Sequence, residues 1–203
     1  MYLNDVYGDC VIAAAGHAIQ EWTAYAGSEV TITDADILAG YEAVGGYVPG
    51  DASTDNGCDM LSALQYWKAT GFGGHKIAGF VSVDPTNQAE VEQAIYLLGN
   101  VYMGIALPLS AQDQTAWKFT GITGDGSPGS WGGHCVIANS YASGPYTGVT
   151  VITWGAPLWA SWKFVRRYVD ECYAIITTDW LNSLGQSPEG FDLDQLRADL
   201  AQL

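Results

Sequence analysis

Cysteine and histidine are the side chains in this sequence best suited to nucleophilic chemistry. There are four cysteines (Cys10, Cys58, Cys135 and Cys172) and three histidines (His17, His75 and His134). A cysteine attacks as the thiolate, so it needs positive charge close by. The segment NDVYGDC, residues 4–10, leads directly into the apolar, alanine-rich stretch VIAAAGHAIQEW. That places Cys10 in the first turn of a helix, where the partial positive charge of the helix terminus is available. An imidazole must come from elsewhere in the chain. His17 lies along the same helix, about 10 Å away by helix rise, too far to pair with Cys10. His75 follows GFGG at the start of a strand and has no obvious partner. His134 opens an apolar strand after SWGG, from where its ring can project into a cleft, and it is the best candidate base. Taken singly, Cys10 reads more readily as a buried helix cysteine, and His134 as a structural histidine. Their order and surroundings together point to nucleophilic catalysis.

The elements that must position these residues follow from periodicity and capping signals. Residues 10–26 carry apolar positions at helical spacing (Val11, Ala14, Ala18, Trp22), with Asp9 as the expected N-cap. TDADILAGYEAV (33–44) is a second helix capped by Thr33 or Asp34, and residues 46–57 have loop composition. CDMLSALQYWKATG (58–71) is a third helix, ended by Gly71. The period then changes. Residues 75–84 read as a strand and 87–99 as a helix that stops at Gly99. Residues 101–108, 134–141, 148–155, 160–169 and 172–177 read as strands, and DLDQLRADLAQL at the C-terminus as a short amphipathic helix. The Gly-rich loop 123–133 lacks the Lys and the spacing of a phosphate-binding loop. A helical first half followed by mainly antiparallel strands is an α+β pattern, with two lobes and a cleft between them.

Composition narrows the function classes. The 203 residues are 48% hydrophobic, enough for one sizeable core or two small lobes. Acidic residues number 22 against 7 basic ones, a net charge of −15. No basic patch can be assembled, so neither nucleic acid nor an anionic membrane surface is an expected partner. The excess of acid leans toward a basic or neutral peptide as substrate. No apolar run reaches the ~20 residues of a transmembrane helix. No basic segment followed by an apolar one marks a signal peptide, which leads to a cytoplasmic or virion-associated expectation. The cysteines form no CxxC pair, and no His, Cys or carboxylate set has ligand spacing, so no metal and no cofactor is expected.

Several segments, in order, resemble the papain-like cysteine peptidases. That family has a Gln six residues before the nucleophilic Cys and a long helix after it; Asn4, Cys10 and VIAAAGHAIQEW hold those places. Its NGG segment, which opens a helix with an aromatic-rich end, is matched by NGCDMLSALQYWKATGF (56–72). Its helix followed by a GPVSVAI strand is matched by EVEQAIYLLGNVYMGIAL (90–107). Its catalytic His opens a HAVxxVGY strand, as His134 opens HCVIANSY, and its NSWGxxWG signature is matched by ITWGAPLW.

The resemblance implies a single papain-like domain over 1–203. Residues 1–75 would form a mainly helical lobe, 76–180 a mainly β lobe (an antiparallel sheet or barrel) and 181–203 a helical tail, with the site between the lobes. It implies Cys10 as nucleophile, His134 as its ion-pair partner and proton donor, and the Cys10 N–H with the Asn4 side chain as oxyanion hole. Gly57, Cys58 and Gly133 would line the substrate groove, Leu107 and Pro108 a hydrophobic side-chain pocket, and Trp154 would shield His134. The sequence departs from the family at four places: Asn4 is one methylene shorter than Gln, Val11 replaces a Trp, Ile152 stands where an Asn orients the histidine, and the family's usual disulfide before the NGG segment is absent, with Tyr7 in place of one of its cysteines. Thr153 can take that place through a shifted strand. The implied function is a thiol hydrolase acting on a peptide or amide bond of a peptide or protein substrate. The alternative is a catalytically degenerate domain with a structural or binding role. The same Cys–His pair would also suit an acyl transferase. GDCV, STDNG and GSWGGH also resemble bacterial and bacteriophage-encoded domains, which adds a phage-particle component, homo-oligomerisation or virion assembly to the expectations.

Overall fold

The computed structural model describes residues 1–142 and 147–181, with isolated positions between 186 and 198. Helix α1 (Cys10–Tyr25) is buried over most of its length, including Ile12, Ala15, Ala18, Ile19 and Trp22. Gly16 makes this possible: a Cβ there would come within 2.9 Å of both Ile37 and Tyr2. Two long-range hydrogen bonds fix the helix on its neighbours. Trp22 Nε1 donates to the Leu98 carbonyl at 2.8 Å, and the Tyr102 hydroxyl donates to the Val11 carbonyl. Helix α2 (Asp34–Gly45) starts at a capping box in which Thr33 and Asp36 satisfy each other's backbone N–H. Asp59 caps α3 (Met60–Ala69), accepting from Ser62 N at 2.7 Å.

Strand β1 (Ile77–Ser82), helix α4 (Gln88–Leu98), and strands β2 (Val101–Leu107), β3 (Gly132–Ala142), β4 (Gly148–Thr153) and β5 (Ala156–Ser161) follow. Helix α5 (Trp162–Tyr168) and strand β6 (Val169–Thr177) complete the described elements. The strands form one antiparallel sheet in the order β1-β6-β2-β3-β4-β5. Side chains alternate across it. Tyr102, Cys135 and Ile137 face the layer of α1, α2 and α3, while Met103, Val136 and Ala138 pack with α4 and α5. The mixed helix and antiparallel-sheet class expected from the sequence is the one observed.

Three local expectations need correction. Residues 160–169 are not one strand: β5 ends at Ser161, whose hydroxyl accepts from Phe164 N and starts α5. Trp162, Val165 and Tyr168 fall on one buried helical face, and Lys163, Arg166 and Arg167 stay outside. The aromatic run mimicked a strand, and the serine cap decided the outcome. Asp9 does hold the N-cap position of α1, but its side chain caps no backbone N–H. The third helix opens at Met60 rather than Cys58, because Asp59 supplies the cap. The predicted tail helix falls largely outside the described residues.

Candidate active site

Cys10 is the first residue of α1 and partly buried. His134 sits two residues into β3, opposite Ile105 of β2, and is 9% exposed. Both line one cavity of about 740 Å³, which Asn4, Gly57, Cys58 and Gly133 also line. A smaller pocket of about 110 Å³ adjoins it, lined by Leu107, Gly133, His134, Trp131 and Trp154. Pro108 is buried and lines neither cavity.

The orientation of His134 follows from the β4–β5 hairpin. Thr153 pairs with Ala156, leaving Trp154 and Gly155 as a two-residue turn with φ of 46° and 72°. Positive φ at both positions is what a type I′ hairpin requires, and it is costly for a tryptophan. The Trp154 ring is held in place by stacking: it lies on His134 at 4.5 Å and 16°, and against Trp131 at 5.5 Å. Trp117 closes the other edge, at 6.5 Å and 83° from the imidazole. Strand alternation then turns Thr153 toward the histidine and Ile152 away from it. Thr153 Oγ1 lies 2.8 Å from His134 Nε2, and Thr153 is 4% exposed. Ile152 instead packs on the α1 side of the sheet and lines a separate cavity. With Nε2 bonded to the hydroxyl, Nδ1 is the nitrogen left for a proton acceptor's work.

Burial governs the charge states here. It pushes the His134 imidazole down to about 4. It also pushes the Cys10 thiol up, with backbone N–H groups of Cys135 and Val11 opposing the rise and Asp9 adding to it. Burial thus works against the charged form of each group, the thiolate and the imidazolium alike. Burial pushes Cys58 to about 12 as well, helped by Cys10, Asp9 and Asp59.

Asn4 does not present a free amide to the cavity. Its Nδ2 donates to Asp9 Oδ1 at 3.1 Å and to the Tyr7 carbonyl at 3.3 Å. The loop before Cys10 is tied to the groove by Asp55, whose Oδ1 accepts from Gly8 N at 2.8 Å and from the Tyr41 hydroxyl at 2.6 Å. That hydroxyl in turn accepts from Gly57 N at 2.9 Å.

Sequence reading missed the acidic wall. Gly104 pairs with Glu171 and Ile105 with Val169, so Asp170 is the extra residue of a bulge. The bulge brings Asp170 and Glu171 to the same cavity, beside Asp55 and Asp59. Gly104 keeps that wall open, since a Cβ there would meet Met60 Sδ at 2.7 Å. Only the β2–β6 register brings these residues together. Trp131, by contrast, had a legible signal in the SWGGH segment.

Thr153→Val, which removes the hydroxyl at nearly constant volume, is expected to cost the site one buried hydrogen bond. A loss of about 1–2 kcal/mol corresponds to about five- to thirtyfold in kcat with KM unchanged. Steady-state hydrolysis rates check this, and equal rates would remove the orienting role.

The packing of these helices on this antiparallel sheet is that of the papain-like cysteine proteases. A cysteine protease of Carica candamarcensis matches with a TM-score of 0.58 at 14% identity, over 84% of this chain and 89% of that one. The ragweed pollen cysteine protease allergen, in its proform, matches at 0.59 and 16% identity, over 83% of this chain and 58% of that one. A clostridial cysteine protease after propeptide cleavage matches at 0.61 and 13% identity, over 84% of this chain and 52% of that one. This chain thus spans little more than half the length of the latter two. No family model matches the sequence, and no curated protein matches it. At these identities the likeness is one of fold.

Proposed function

We propose that the protein is a thiol hydrolase that cleaves a peptide or amide bond, with Cys10 as nucleophile and His134 as base. The observation that carries the reading is the shared cavity: a cysteine at a helix N-terminus and a histidine whose Nε2 is engaged by Thr153 open onto the same space. As Cys10 Sγ bonds to the carbonyl carbon, its proton passes to His134 Nδ1 and the carbonyl oxygen takes the negative charge. The Cys10 N–H, at the head of α1, faces that oxygen, joined by the Asn4 amide once its bond to the Tyr7 carbonyl is given up. The C–N bond then breaks, and the leaving amine takes the proton back from His134. Water attacks the thioester, giving the acid and restoring the thiol. Because burial disfavours the charged form of each group, proton transfer accompanies attack instead of preceding it.

Asp55, Asp59, Asp170 and Glu171 line the cavity, and among the described residues no Lys or Arg does. A peptide with Arg or Lys beside the scissile bond is therefore favoured over one with Glu. Paired fluorogenic peptides that differ only there test the reading. Their kcat/KM values are expected to differ by at least about tenfold, less at high salt. Hydrolysis of neither peptide, with no product formed at any pH from 4 to 9, would count against the hydrolase reading.

A further inference from the structure

Asp9 immediately precedes Cys10 and has no exposed surface. At the N-cap of α1 its side chain gives up the capping bond usual for an aspartate. Its Oδ1 accepts from Asn4 Nδ2 at 3.1 Å, and its Oδ2 is buried with no hydrogen-bond partner among the described residues. Burying a carboxyl group so incompletely satisfied costs free energy. What the placement supplies is a fixed acceptor behind Asn4, which itself lines the cavity where Asp9 does not.

We infer that Asp9 is a positioning residue: its Oδ1 holds one of the two Nδ2 hydrogens of Asn4 and so aims the other at the carbonyl oxygen attacked by Cys10. The inference rests on the hydrolase reading above. The second hydrogen now meets the Tyr7 carbonyl at 3.3 Å, the longer of the two bonds and the one to be exchanged for the oxyanion. Anchoring makes up for the short reach of an asparagine, because an amide fixed at one hydrogen cannot swing out of the site.

The working form of Asp9 is the neutral acid. Among the described residues, the charged and titratable groups that interact electrostatically with it are Cys10, Cys58, Asp55 and Asp34. None is a cation, so an ionised Asp9 would oppose both the thiolate and the oxyanion. Burial, countered by the Asn4 hydrogen bond, brings its carboxyl up to about 7. The neutral form keeps Oδ1 as an acceptor and removes the opposing charge. Asparagine has the same shape, the same acceptor and no charge.

Three readouts separate this role from a structural one: kcat and KM on an Arg-containing fluorogenic peptide, affinity for acetyl-Leu-Leu-argininal, and the rate at which iodoacetamide alkylates Cys10. The aldehyde adduct presents its oxygen to the oxyanion donors, whereas alkylation needs none. Asp9→Ala is expected to lower kcat by about ten- to hundredfold, with KM within about twofold and aldehyde affinity falling in parallel. Alkylation is expected to stay within about twofold of wild type. Asp9→Asn is expected to keep kcat and aldehyde affinity within about threefold, and in an Asn4→Ala background Asp9→Ala is expected to add nothing. Wild-type turnover with unchanged kcat in Asp9→Ala would overturn the inference alone. So would an Asp9→Asn protein, folded by circular dichroism, that loses as much as Asp9→Ala is expected to lose. Wild-type protein without turnover, aldehyde binding or selective alkylation of Cys10 would overturn the hydrolase reading and this inference with it.

Discussion

Cys10→Ala is expected to abolish hydrolysis of a basic fluorogenic peptide, lowering kcat by about 10⁶-fold, the scale seen when a covalent nucleophile is removed. No second thiol can take over. Cys135 and Cys172 are buried in the sheet layers, and burial pushes the Cys172 thiol to about 12. Cys58 lines the same cavity, but burial and its acidic neighbours also push it to about 12. The substitution removes one sulfur atom from a partly buried position at a helix end, so the fold and its thermal unfolding midpoint are expected to survive. Cys172→Ala, a change in the core away from the cavity, is expected to leave turnover within about twofold of wild type. Steady-state kinetics alongside a thermal scan check the pair. Comparable rates in Cys10→Ala and wild type would exclude Cys10 as nucleophile.

His134→Ala is expected to lower kcat by about 10⁴-fold or more, since the thiol then has no imidazole to take its proton. The pH profile carries the sharper signature. Burial holds the imidazole down to about 4, so His134 stays unprotonated, and able to take the thiol proton, at any pH above that value. Wild-type kcat/KM is therefore expected to keep its plateau below pH 6 and to fall only as pH drops through about 4. An unshifted histidine would instead lose activity near 6.5. In His134→Ala the acid limb disappears, and the residual rate climbs with pH as the thiol ionises by itself. A wild-type acid limb near 6.5 would mean that the imidazole is more open to water than its 9% exposure implies.

Elements with strong local signals were legible in the sequence. Helix α1 follows from its apolar spacing, α2 from its cap at Thr33 or Asp34, of which the structure uses Thr33, and α4 from the stop at Gly99, with φ 85°. Residues 160–169 misled because a tryptophan-, phenylalanine- and tyrosine-rich run suits either a strand or a short buried helix, and one hydroxyl–backbone bond at Ser161 decided between them. The site divides along similar lines. Cys10, Asn4, Gly57 and His134 stand in segments whose order carries the papain-like resemblance, and they line one cavity. The question of Ile152 or Thr153 turned on which face of β4 looks toward β3. The Trp154–Gly155 turn settles that face, and sequence spacing alone does not. Asp170 and Glu171 were invisible for a different reason: their meeting with Gly104 depends on pairing between strands separated by most of the β region. Asp9 was read as a helix cap, and only the folded loop shows its oxygen turned back to Asn4.

The central claim is that Cys10 and His134 act as a pair. Its most direct test is mass-spectrometric quantification of iodoacetamide labelling at each of the four cysteines, in wild type and in His134→Ala, at pH 6. The pairing predicts that Cys10 labels at least about a hundredfold faster than Cys58, Cys135 or Cys172 in wild type, and that this advantage collapses in His134→Ala. Equal, slow labelling of all four in wild type, or a Cys10 rate unchanged by His134→Ala, would contradict it and favour a catalytically silent domain on a protease fold.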